Sequence, residues 1–119
     1  MECGILVSFR RSKIDIYHST VLALQNPKYI RLLLNPEKRS MCVQGISKKA
    51  AETFPVPKSR EDVDWDFRIS SKQMTGIIYE INEWNIASSY RILGTLREEY
   101  RLVEFDFKNA EEISGGEET

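Results

Sequence analysis

Apolar side chains in this chain come in short alternating stretches, each soon cut off by a proline, an asparagine or a knot of charge. Val103, Phe105 and Phe107 alternate with Glu104, Asp106 and Lys108, the period of a strand with one dry and one wet face. Ile14 and Ile16 alternate in the same way with Lys13, Asp15 and Tyr17. Short strands of this kind must gather into a sheet, and they set the reading of everything between them.

Residues 4–9 read as a first β-rich segment, brought to a turn by Arg10, Arg11 and Ser12. Ser19 or Thr20 is placed to cap a brief helix through Leu24, and Asn26-Pro27 stops it, because proline disfavours helical backbone in the residue before it. Residues 29–34 form a strand, Asn35-Pro36-Glu37-Lys38 has the chemistry of a type I turn, and residues 40–44 return. In this reading Cys42 is a small core hydrophobe and Ser47 caps a short helix reaching Phe54. Residues 65–69 alternate again. Ser70 with Gln73 then makes a capping box for the clearest helix, along which Met74, Ile77, Ile78, Ile81 and Trp84 form one stripe. Gly76, costly inside a helix, implies a close packing contact there. Residues 90–96 and 100–107 make a closing hairpin about Arg97-Glu98-Glu99, with Tyr29, Tyr90 and Tyr100 as core or cross-strand partners.

The two halves share one order, β-α-β-β. The expected fold is therefore α+β: two β-α-β-β units forming an antiparallel sheet with the helices on one face, each apolar stripe covering the sheet. A single domain spans residues 1–109, with units at about 5–54 and 65–108, a connection at 55–64 and an acidic flexible tail at 110–119. A chain of 119 residues, 41% hydrophobic and 29% charged, is right for one folded domain and wrong for a disordered one.

This layout is similar to the halves of TATA-binding and sliding-clamp domains. Over about residues 14–46, Leu24-Gln25-Asn26-Pro27-Lys28-Tyr29, the strand, Asn35-Pro36-Glu37-Lys38 and the return strand resemble a pattern in uncharacterised bacterial proteins. In those a Leu-x-Asn-Pro helix stop, with glycine at x, precedes a β-hairpin; here Gln25 stands at x. The same rhythm is loosely like that of AbrB-type DNA-binding dimers. These resemblances imply a layout and no activity.

Chemistry is sparse. No apolar run approaches the roughly 20 residues of a membrane helix, and Met1-Glu2-Cys3-Gly4 lacks the order of a signal peptide. Cys3 and Cys42 are expected as reduced thiols of a cytoplasmic protein. His18 is the one histidine, and with Cys3 and Cys42 it matches no zinc spacing. Asp62, Asp64 and Asp66 alternate without the glycine and distal glutamate of a calcium loop. No phosphate-cradling glycine loop or nucleophile elbow occurs, so no metal and no cofactor is expected.

Charge is the strongest functional signal. Residues 1–60 carry a balance of +7 and residues 61–119 one of −8. The blocks could neutralise each other across the fold or across a dimer. They could also leave Arg10, Arg11, Lys13, Lys38, Arg39, Lys48 and Lys49 as a basic surface for nucleic acid or an acidic protein. The expected function is a non-enzymatic binding or regulatory module, homodimeric, contacting nucleic acid. The alternative is a protein–protein interaction or structural homo-oligomeric module; an enzyme with its site around His18 ranks third.

Overall fold

A computed structural model describes residues 2–57 and 66–113. The described chain is mostly β, 46% strand against 22% helix, and its antiparallel sheet is nearly closed on itself like a barrel. This overturns the expected α+β sheet with helices on one face. In chain order the elements are β1 (Cys3–Ser8), β2 (Lys13–Ile16), α1 (His18–Ala23), β3 (Tyr29–Asn35), β4 (Ser40–Ile46), β5 (Thr53–Pro55), β6 (Phe67–Ser70), α2 (Lys72–Asn82), β7 (Ser89–Arg97), β8 (Leu102–Asp106) and β9 (Glu111–Ile113). The strands lie in the order β5-β3-β4-β8-β7-β1-β2-β6, and β9 also pairs with β7.

The two halves do run β2-α1-β3-β4 and β6-α2-β7-β8, but they are joined edge to edge rather than laid under a helical layer. β2 pairs with β6 through Ile14↔Ile69, β4 pairs with β8 through Val43↔Val103, and β1 is inserted between β7 and β2. The sheet therefore covers its own inner face. Ile5, Val7, Ile14, Ile16, Ile30, Met41, Val43, Ile92, Val103 and Phe105 all point there and are fully buried. Each such side chain contributes about 1.5–3 kcal/mol.

α1 is too short to cover anything, and the expected hydroxyl caps do other work. Its N-cap is Tyr17, with no side-chain cap bond. Thr20 Oγ1 instead sits 2.8 Å from Gly4 N and 3.0 Å from Gly4 O, so the helix occupies the edge where β2 would have run on beside β1. Val21 and Leu24 plug the core from that end. The chain then leaves through Gln25 and Asn26, both left-handed, and Pro27.

α2 is the one substantial helix. Its cap is Ser71, which accepts from Met74 N at 3.1 Å; Ser70, the expected cap, is the last residue of β6. Ile78 and Tyr79 are its buried anchors. The Tyr79 hydroxyl lies 3.1 Å from Val7 O and 2.5 Å from Ser88 O, and its ring meets Phe9, Trp84 and Tyr90. Gly76, expected at a close contact, has open space around it.

Three further expectations change. Residues 47–54 form no helix: Glu52 is left-handed, the Thr53 hydroxyl closes a turn on Ala50, and Phe54 pairs with Ile30 as part of β5. The expected tail begins as β9, because a 3-10 turn at Phe107–Asn109 inserts residues after β8 and lets the chain rejoin the same edge of β7. Cys42 lies on the outer face, opposite Leu33 and Glu104, half-buried, while Cys3 faces inward and is buried. Both thiols are free. Asp62, Asp64, Trp65 and most of the expected connection lie outside the described residues.

Candidate functional site

The seven sequence-selected cations occupy two places. Arg10 and Arg11 form the β1–β2 turn, Lys13 opens β2, and Lys38 and Arg39 lie in the β3–β4 turn. Ser8 pairs with Ser89 at the start of β7, and Ser40 pairs with Asp106 at the end of β8, so these five share one end of the sheet. Lys48 and Lys49 follow β4, whose seven residues carry them roughly 20 Å to the other end. The single basic surface read from the sequence is thus two rims.

Around Lys48 and Lys49 the sequence reading missed other members. Arg31 stands on the outer face; its Nη2 donates to Gln44 Oε1 at 2.8 Å, while its Nε is buried without an acceptor. Gln44 continues the chain to Tyr100 O at 3.4 Å. Tyr100 belongs not to the core but to a 3-10 turn, 63% exposed, next to Arg101. Lys28, Ser47 and Arg101 line a cleft of about 230 Å³. The signal for Arg31 was present: Ile30 and Leu32 point inward, so the residue between them must point out.

Ion pairs divide unequally. Arg68 Nε holds Asp15 Oδ1 at 2.7 Å and Arg11 Nη2 holds its Oδ2 at 3.2 Å. Arg91 pairs with Glu111 at 2.8 Å and Arg97 with Glu104 at 3.3 Å. Among the described residues, Arg11 is the one first-half lysine or arginine in an ion pair with a carboxylate, and that carboxylate also belongs to the first half. Lys13 Nζ donates to Ser70 Oγ and Arg39 Nε to Asn82 Oδ1, both neutral acceptors.

His18 lines an open groove of about 660 Å³ with Leu6, Asp15, Tyr17, Ser19, Leu22 and Asp66. Asp66 Oδ1, just before β6, accepts from the His18 backbone N–H at 3.2 Å, while the α1 N-cap makes no side-chain bond. The other carboxylate of the groove, Asp15, is clamped by two arginines. Both acids in the groove therefore hold the fold together. Tyr17 lies over Gly4, where a Cβ would meet its ring at 2.7 Å; burial pushes its hydroxyl above the ordinary phenol range, against the Arg91 charge beside it. Burial likewise raises the thiols of Cys3 and Cys42.

Among the described residues no three His, Cys, Asp or Glu side chains gather as metal ligands, and no helix is long and apolar enough to cross a membrane. No protein-family model, curated protein or solved structure matches the chain.

Proposed function

We propose that this chain is a non-enzymatic binding module that contacts nucleic acid through its two basic rims. The observation that carries this reading is the partition of ion pairs. Among the described residues no first-half lysine or arginine pairs with a second-half carboxylate, although residues 2–57 carry a charge balance of +5 and residues 66–113 one of −3. The second half's arginines take up its own Glu104 and Glu111 and also Asp15, the carboxylate shared with Arg11. Arg10, Lys38, Lys48 and Lys49 are left exposed to solvent. Cations held this way release counterions from a phosphate backbone on contact, which is the sequence-independent part of nucleic-acid affinity. Exposed Tyr100 beside Arg101 adds a face on which an unpaired base can stack.

The test is fluorescence anisotropy of labelled single-stranded and duplex oligonucleotides at about 50 mM salt. The wild-type chain binds at micromolar protein, and replacing Arg10, Lys38, Lys48 and Lys49 together by glutamine weakens binding at least about tenfold, a loss of about 1.4 kcal/mol. Absence of binding by the wild-type chain, or equal binding by the variant, would refute the reading.

A further inference from the structure

The outer face of β7, β1, β2 and β6 carries a row of residues set by strand register. Glu111 pairs with Arg91, Arg91 with Leu6, Leu6 with Asp15 and Asp15 with Arg68. Cross-strand partners share a face, so the row reads negative, positive, apolar, negative, positive. One step along the strands lie Leu93 and Gly4, with the Tyr17 ring over Gly4. Leu93 is 50% exposed and Leu22 37% exposed, and the groove between Leu6, Tyr17 and Leu22 lies beside them. An apolar centre inside a charged rim is the anatomy of a protein interface.

The order of charges names the occupant. We infer that this face binds the same face of a second copy of the chain, about a two-fold axis parallel to β1. Such a rotation keeps each residue's level along the strand and exchanges the two sides of β1. Glu111 then stands over Arg68 of the second copy, Arg91 over the side holding its Asp15, and Leu6 over Leu6. Exposed Leu93 comes over Tyr17 of the second copy, a knob against a groove, and the contact is made twice, as an isologous interface requires. Asp15 lies sunk beneath Arg11 and Arg68, so the direct contacts at the rim are those between Arg68 and Glu111, both about half exposed. Turning the second copy instead about an axis across the strands would set Glu111 on Glu111 and Arg68 on Arg68. Charge therefore selects one arrangement and rejects the other. Arg11 and Lys13 reach onto this face, whereas Arg10, Lys38, Lys48 and Lys49 lie in connections beyond the strand ends, so variants of those four leave the dimer contacts in place.

Sedimentation velocity tests the inference. At about 100 μM, a concentration that populates a micromolar dimer, the wild-type chain sediments with twice its 13.8 kDa mass. Exchanging the charges within one chain, Arg91→Glu with Glu111→Arg, keeps their intrachain pair but sets like against like across the axis. This variant sediments as a monomer, its dimer weakened at least about tenfold, with unchanged circular dichroism. Leu93→Asp, at an exposed position, gives the same loss without touching any ion pair. A monomeric wild-type chain would overturn the inference, and so would variants that dimerise as tightly as the wild type.

Discussion

Gly94 stands on the inner face of β7, where a Cβ would lie 2.6 Å from a ring carbon of Phe105 and 2.7 Å from a methyl of Val103. The core closes over that missing side chain. Gly94→Ala is expected to cost about 1–3 kcal/mol, as overpacking does, read as a lower urea midpoint. Gly76→Ala is the opposite case: nothing lies within 4 Å of the added carbon, and the helix gains up to about 1 kcal/mol. Equal effects at the two glycines would contradict this packing. Sequence patterning marked Gly76 and passed over Gly94, because helix propensity is local whereas a clash across a barrel interior depends on register. Titration belongs to the same scale. Burial raises Cys3, Cys42, Tyr17 and Tyr90, so the folded chain holds these protons more tightly than the unfolded one. Their contribution is whole below the unfolded values, about 8.5 for a thiol and about 10 for a phenol, and is lost as pH rises through the folded values. Tm should hold up to about pH 8.5 and fall beyond it; a Tm rising between there and pH 11 would contradict the assignment.

β9 shows what an element can do without apolar weight. Its three residues are Glu111, Glu112 and Ile113, and they hold β7 through Arg91–Glu111 and through the Tyr90 hydroxyl, 3.3 Å from Glu112. Removing the chain beyond Ala110 is expected to cost about 1–2 kcal/mol, since it frees a strand edge and several hydrogen bonds. Hydrogen exchange at the β7 amides that face β9 should quicken, while β1 amides deeper in the sheet keep their protection. Unchanged exchange at Ser89 to Arg91 would show that β9 does not pair in solution. This strand was illegible in the sequence, where an acidic, glycine-bearing end reads as a tail. The hairpins β3–β4 and β7–β8 were legible, because Asn35-Pro36 and Arg97-Glu98-Glu99 lie between apolar runs of the right length. The helices were overread: a hydroxyl before an apolar run is as useful to a strand edge, as Thr20 is to Gly4, as it is to a helix start.

At the scale of the molecule, closure of the sheet decides the rest. Two amphipathic helices need a sheet face to cover, but here each half of the sheet covers the other, and the helices shrink to a plug and a single brace. That outcome was hidden because alternation tells which residues point inward and not what meets them there. The same closure fixes where charge goes. Glu104 and Glu111 pair with arginines of their own half, while Arg10, Lys38, Lys48 and Lys49 fall in the connections beyond the strand ends, none of them in an ion pair with a second-half acid among the described residues. The charge split was therefore legible, and its division into two rims was not. Whether the exposed cations of the rims meet phosphate is read from the salt dependence of oligonucleotide binding. Log K is expected to fall linearly with log salt, steeper than about −2 for several phosphate contacts, with a shallower slope once Arg10, Lys38, Lys48 and Lys49 are glutamine. A flat dependence, or one identical in the wild type and the variant, would contradict this expectation.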